Sequence, residues 1–409
     1  MVTDIQLRKI SDSLVQIAKE LDIEESMYKS LEQSYKAIGE CLSGDPDLSK
    51  YSVEIHPQGS LLLGTAIKPV SEDDDVDVDL VCELRRKNPD WTQKDLKTKV
   101  GNRLKSSERY KNMMDEEGRR CWTILYRQNS SNPQDRYHLD ILPAVFDGTE
   151  SAVKAVRSLQ PDSNGQIAWD KVAMRLTDNK EWGYDYFKTL SAWPKTNPFG
   201  YAAWFHQRCK TVGGREVKMF CESNISPLPK YSTDKMPLQR VVQLLKRHRD
   251  MMFDGDEDKP ISIIITTLAA KAYKGEEDIA TAIKNVVQSM AQYIKTDADG
   301  HYVIQNPVNA DENFADKWVE NPKRQQNFFK WLEKVKADVT TLTSTELTYI
   351  QRGRHLQTIF GEKIVNRVLE RESSETRNAR DNGTLRMSST GILGTVGATT
   401  VKAHTFFGE

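Results

Sequence analysis

The chain has 409 residues, long enough for two domains that each bury a core. Its 58 basic and 59 acidic side chains nearly cancel, which excludes a uniformly basic nucleic-acid coat and leaves any anion-binding surface local. Five cysteines without a CxxC pair exclude a disulfide scaffold, and no stretch approaches the ~20 apolar residues of a membrane span; a soluble protein of the reducing cytoplasm is expected, with no membrane and no stably bound nucleic acid.

From Ile5 to Cys41 the apolar residues recur at helical spacing, interrupted at Asp22 to Glu25, which predicts two helices or one bent helix. Short β-prone runs follow at Ser52 to Ile55, Val76 to Cys82, Arg120 to Tyr126 and Arg136 to Ile141, with a charged segment of helical character at Asp95 to Leu104. These predict a small mixed sheet flanked by helices. Past about Lys180 the pattern turns helical, over Leu238 to Phe253, Ile261 to Tyr273, Asp278 to Ile294, Phe314 to Leu342 and Glu362 to Arg371. The expected class is α+β. Residues 1–180 would hold N-terminal helices and the sheet, and 181–371 a helical domain. A tail over 372–409, rich in Ser, Thr, Gly, Asn and Arg, is predicted mobile.

Chemistry concentrates in two places. Gln58-Gly59-Ser60 opens an apolar stretch able to start a helix, where a glycine admits phosphate to the backbone and free N–H groups and a hydroxyl receive its oxygens. Asp77 and Asp79 then alternate with Val76, Val78 and Leu80, so in a strand both carboxylates leave one face while the apolar side chains enter the core. Adjacent carboxylates repel, and a divalent cation resolves the repulsion. Asp140, in Tyr137-His138-Leu139-Asp140-Ile141, either joins them from a neighbouring strand or caps a strand end. Three carboxylates around two magnesium ions, roughly 3.5–4 Å apart, would clamp an in-line phosphoryl displacement. Asp140 is also a candidate acceptor for the attacking hydroxyl's proton, directly or through the metal-bound shell.

Plainer readings stand beside these. Asp73 to Asp75 read equally well as a solvated loop. Lys246, Arg247 and Arg249 cannot share one helix face, which assigns some of them to solvated surface, with Lys246 the candidate ligand. His138 is expected to be structural, and Tyr201, Trp204 and Phe205 to pack a core.

The order Gly59-Ser60, Gly64-Thr65, the acidic strand ending Leu80-Val81, then His138-Leu139-Asp140-Ile141-Leu142-Pro143-Ala144 resembles the polymerase-beta-type nucleotidyltransferases. It resembles most the cyclic oligonucleotide synthases (CD-NTases) of bacterial CBASS antiphage defence, relatives of cyclic GMP-AMP synthase and oligoadenylate synthase. Asn197-Pro198-Phe199-Gly200-Tyr201, Leu245-Lys246-Arg247-His248-Arg249-Asp250, Asn306-Pro307-Val308-Asn309 and Glu312-Asn313-Phe314 extend the likeness over about residues 50 to 320. The resemblance implies a polymerase-beta-like core whose cleft a C-terminal helical domain completes. It implies Asp77, Asp79 and Asp140 as catalytic ligands of two Mg²⁺ ions, with Mn²⁺ as a substitute. Gln58, Gly59, Ser60, Lys246 and Ser262 would contact nucleotide. ATP, GTP or other nucleoside triphosphates would be the substrates, and a cyclic di- or trinucleotide plus pyrophosphate the products. The enzymatic alternative is transfer to an RNA end, a small molecule or a protein acceptor; the non-enzymatic one is a nucleotide-sensing scaffold. Residues 401–409, with Phe406-Phe407, are expected either to recognise a partner, for which the resemblance suggests a ubiquitin-like conjugation protein, or to dock on their own domain; the terminal Glu409 argues against conjugation itself.

Overall fold

The computed structural model describes residues 4–70, 75–130, 135–149, 151, 169–210, 225–344, 347–387, 393–394 and 397–401. The chain opens with two separate helices, α1 (Asp4–Glu20) and α2 (Glu25–Ser43). What breaks them apart is Asp22, a buried carboxylate that accepts hydrogen bonds from Lys235 (2.6 Å), Arg240 (2.9 Å) and Gln243 (2.9 Å). The two helices serve different cores. Leu14 and Ile17 of α1, with Leu21 just past its end, enter the apolar cluster of the later helices, whereas Leu31, Tyr35 and Ile38 of α2 pack on the sheet. Helix α1 thus packs with the helical lobe rather than with the sheet it was grouped with on sequence.

The sheet contains β1 (Val53–Pro57), β2 (Val76–Leu84), β3 (Trp122–Tyr126), β4 (Tyr137–Phe146), β5 (Met174–Leu176) and β6 (Lys195–Thr196), and a short helix α3 (Gly59–Leu63) follows β1. Strand order is β1-β2-β4-β5-β6, with β3 also paired to β4. Strands β2 and β4 run parallel and the other pairings are antiparallel, so the sheet is mixed as predicted. Val76, Val78, Leu80, Leu139 and Ile141 bury one face against α2 and α4 (Gln93–Lys105). Each such side chain contributes roughly 1.5–3 kcal/mol when fully buried. The opposite face is left to carry polar groups.

The second lobe is helical, with α5 (Pro198–Arg208), α6 (Pro237–Met252), α7 (Ser262–Ala272) and α8 (Ile279–Ser289) leading to two hairpins, β7 (Lys295–Thr296) with β8 (Tyr302–Val303) and β9 (Gln305–Asn306) with β10 (Asn309–Asn313). Then come α9 (Lys317–Glu320), α10 (Pro322–Leu342), α11 (Tyr349–Phe360) and α12 (Glu362–Asp381). The single helix expected over Phe314 to Leu342 is broken, because the Asn321 side chain accepts from Lys323 N and Pro322 takes the first helical position. Similarly, α8 stops at Ser289 and a 3₁₀ turn covers Met290–Tyr293. Past Glu372 the chain is not the loose polar tail its composition suggests: α12 continues to Asp381, and the Glu372 carboxylate accepts the Ser13 hydroxyl of α1 at 2.8 Å. Three two-residue strands follow, β11 (Arg386–Met387) flanked by β12 (Leu393–Gly394) and β13 (Thr399–Thr400). Asp73, Asp74 and the Phe406-Phe407 end lie outside the described residues.

Candidate active site

The parallel pairing of β2 with β4 sets Asp79 directly opposite Asp140, and Asp77 opposite His138. One sheet face therefore gathers the acids that the sequence offered separately. Asp140 is steered by β3, where Thr123 is its cross-strand partner and donates its hydroxyl to Asp140 Oδ1 at 2.5 Å. From the other side, the turn after β1 closes in. Gln58 N–H donates to the Asp79 carbonyl at 3.0 Å, and Gly59 follows in the left-handed region with φ 62°. A β-carbon at Gly59 would run into the Asp79 carboxylate, so close approach and backbone conformation both require glycine here. Ser60 stands half-buried on the first turn of α3.

Charge is the dominant feature of this face. Burial first, then the negative charges of Asp77 and Asp140, raises the Asp79 carboxyl well above its ordinary range. Burial, and then Asp77, likewise raises Asp140 against the opposing bond from Thr123. His138 comes within 3.2 Å of Asp77, where sequence reasoning left it a structural role. Burial pushes its imidazole down, but the bond and charge of Asp77, with Asp140 and Asp75, outweigh that and raise it to about 9. Ligand atoms of Asp77, His138 and Asp140 all lie within 4.8 Å of one another. Carboxylates crowded on one face, with Asp77 and Asp140 raising Asp79, are a donor set short of positive charge, and hard anionic oxygens suit a divalent cation, so these residues fit the expected metal.

Asp79 opens into a cleft of about 720 Å³ between the lobes, within the range of small-molecule sites. Gln58, Gly59 and Asp79 form its sheet wall; Tyr201, Pro260, Glu312 and Lys317 are on the helical wall. Tyr201 is buried, with its hydroxyl 2.8 Å from that of Thr267, and Phe205 is in the core, as expected of them.

Helix α6 acts differently from its sequence reading. Lys246, Arg247 and Arg249 are 6%, 2% and 6% exposed, so none is solvated surface. The reason is the backbone they meet. Along α6, Gln239 donates to Leu63 O (2.8 Å), Gln243 to Ala66 O (2.8 Å), Lys246 to Thr65 O (3.0 Å) and Arg247 to Lys68 O (2.7 Å). Successive helical turns thus satisfy the carbonyls of the segment that follows α3, which would otherwise be buried unpaired. Burial, then repulsion from Arg249, lowers the Lys246 ammonium to about 8, while Asp77 pulls the other way. Lys246 therefore lies within electrostatic reach of the acids, and its Nζ uses one of three donors on Thr65 O. The Ser262 hydroxyl, at the start of α7, accepts from Arg249 at 2.8 Å.

Sequence reasoning missed three contributors: Thr123, the Arg120 side chain held through Nε by buried Asp178 (2.7 Å), and Glu312 on the helical wall. Only Glu312 had a signal, as part of Glu312-Asn313-Phe314.

Convergent carboxylates on adjacent strands, a glycine turn against them and a helical lobe closing the cleft define a polymerase-beta-like nucleotidyltransferase. Residues 9–169 match the Second Messenger Oligonucleotide or Dinucleotide Synthetase domain. Over 100% of both chains the protein is 26% identical to the c-di-GMP synthase of Roseivirga ehrenbergii. Its fold is that of the CD-NTase CdnG from Bradyrhizobium diazoefficiens, solved with GTP, at TM-score 0.64 and 17% identity, covering 89% of this chain and 99% of that one. CdnC of Escherichia coli MS115-1, solved with ATP, aligns at TM-score 0.55 and 14% identity over 86% of this chain and 97% of that one. The chain thus carries the synthetase-domain match on a fold shared with the cyclic oligonucleotide synthases.

Proposed function

We propose that the chain joins two nucleoside triphosphates into a cyclic dinucleotide for antiphage signalling, guanine nucleotides being the first candidates from the likeness to the Roseivirga enzyme. The observation that carries this reading is the set Asp77, Asp79 and Asp140 gathered on β2 and β4, of which Asp79 lines the cleft beside Gly59. These carboxylates would hold two divalent cations, magnesium ordinarily and manganese as a substitute, which when bound supply charge neutralisation of the triphosphate and acidify the attacking hydroxyl. Gly59 and Ser60 would receive the triphosphate, and Gln58 holds the turn that presents them. Thr123 fixes the Asp140 carboxylate, which would accept the hydroxyl proton. A ribose hydroxyl oxygen attacks the α-phosphorus, the bond to pyrophosphate breaks, and a second such transfer closes the ring; no protein nucleophile is consumed. Lys246 would act through Thr65 and as a positive charge at longer range, and Ser262 through Arg249. A conjugation partner at residues 401–409 is supported by the family resemblance alone.

The test is mass spectrometry of the products when purified protein receives all four ribonucleoside triphosphates and Mg²⁺. A phosphatase-resistant cyclic dinucleotide is expected. A requirement for added RNA, small molecule or protein acceptor, or a ladder of longer oligomers, would move the reading to another acceptor class.

A further inference from the structure

The hairpin of β9 and β10 lines the same cleft as Asp79 and has a carboxylate at its centre. Asn306 Nδ2 and Asn309 Nδ2 both donate to one oxygen of Glu312, Oε2, at 2.8 and 3.4 Å. Neither amide is free to flip. Asn306 Oδ1 accepts from Val308 N–H at 3.0 Å, and Asn309 Nδ2 also donates to Lys195 O at 3.1 Å. The Glu312 side chain is therefore pinned by one oxygen. Its other oxygen, Oε1, takes no hydrogen bond from the described residues and is not among the buried unpartnered atoms, and Glu312 lines the same cleft as Asp79. The basic group whose charge acts on it, Arg120, donates through Nε to Asp178 at 2.7 Å. A half-buried, oriented, acceptor-only group thus faces the space a nucleotide would fill.

An acceptor-only group selects for donors. On the Watson–Crick edge guanine offers two neighbouring donors, N1–H and the N2 amino group. Adenine offers an amino group beside a bare N1, cytosine an amino group beside a bare N3, and uracil one N–H between two carbonyls. A carboxylate meets a lone pair in each of the last three. We propose that Glu312 is the guanine-reading residue of the cleft, its Oε1 accepting N1–H and N2–H of a bound guanine nucleotide. The proposal rests on the cleft being the nucleotide site. Burial pushes the Glu312 carboxyl up against the bonds from Asn306 and Asn309, and donors from a bound base would offset that desolvation.

Glu312→Gln tests this sharply. With Asn306 and Asn309 still donating to the side-chain oxygen, the glutamine turns an amino group toward the cleft, replacing an acceptor by a donor. That suits adenine N1 and opposes guanine N1–H. Calorimetry with the non-transferable α,β-methylene analogues of GTP and ATP, in Mg²⁺, reads base preference without turnover. The wild type should bind the guanine analogue at least ~30-fold more tightly, since a site built around a hydrogen bond rejects a ligand that cannot complete it. Glu312→Gln should weaken guanine binding ~10-fold or more and bring the two analogues level or reverse their order. If the variant does not fold, Glu312→Asp replaces it, with guanine affinity expected to fall and adenine affinity not to rise. Wild-type affinities within about threefold, or equal weakening of both analogues by either variant, would overturn the assignment and leave Glu312 as a brace of the hairpin. Absence of cyclic product with intact base preference would count against the proposed function instead.

Discussion

Replacing Gly59 by alanine separates the folding role of this turn from its catalytic one. Gly59 has φ 62°, where an L-residue costs roughly 1–2 kcal/mol relative to glycine. In a chain of this size that loss should lower the melting temperature by only a few degrees. The added β-carbon has a second effect, because it occupies the place of the Asp79 carboxylate and either that group or the turn must move. A displacement of about 1 Å at a reacting centre costs on the order of 100-fold, or roughly 2.7 kcal/mol of activation free energy. Gly255 supplies the control: it has φ 72°, but nothing lies within 4 Å of a β-carbon placed there. Gly255→Ala should show the same modest loss of stability with unchanged turnover. Pyrophosphate release under saturating triphosphate and Mg²⁺, beside thermal unfolding of each variant, makes the comparison. Gly59→Ala with turnover within threefold of wild type would refute the argument that the turn is shaped around Asp79.

Asp77→Asn combined with Asp79→Asn should remove pyrophosphate release to below about 1% of wild type while circular dichroism stays unchanged, because neutral amides replace anionic ligands of a hard cation. Lys246→Met should destabilise the protein by about 1–3 kcal/mol, measured by urea unfolding, since Thr65 O loses its donor; the same variant should reduce turnover by moving the segment after α3. An unchanged unfolding midpoint would contradict the clasp described for α6. Glu54 predicts an acid dependence. Burial raises its carboxyl, but His56 and the Arg85 bonds at 2.7 and 2.8 Å outweigh that and lower it from 4.5 to about 2. The native state thus holds this group ionised while the unfolded chain takes up the proton. The resulting stability, roughly 3 kcal/mol at most, is complete above about pH 5.5 and lost as pH falls toward 2. Glu54→Gln should lower stability at neutral pH and flatten this acid limb; parallel pH profiles for the two proteins would reject the assignment.

What could be read from sequence follows the range of the interactions involved. Asp77 and Asp79 were legible because strand alternation is local: valines inward force carboxylates outward whatever the rest of the fold does. Asp140 joins the acidic cluster only through the parallel pairing of β2 with β4, which brings it beside Asp79 from 61 positions away in the chain. Its alternative, a strand-end cap, fits the same local pattern. The break at Asn321-Pro322 was written locally, as a cap followed by proline, and the long apolar period over Phe314 to Leu342 masked it. The residues past Glu372 failed for the opposite reason. Their composition is that of a loop, and a contact with α1, far off in sequence, continues the helix.

The basic run on α6 marks the sharper limit. A lysine or arginine in sequence states that a positive donor is present, and water, phosphate or a backbone carbonyl can each satisfy it. The partners of Gln239, Gln243, Lys246 and Arg247 are main-chain carbonyls between Leu63 and Lys68, and a carbonyl belongs to every residue, so it leaves no mark in the sequence. The same bonds explain why such polar side chains lie in a core: each removes a buried acceptor that the sharp chain path after Gly59 would leave unpaired. That path passes so close to the Asp79 carboxylate that a β-carbon at Gly59 would meet it. The apparent ligand run and the acidic strand are thus two ends of one device, in which the helical lobe holds the turn that the acids require.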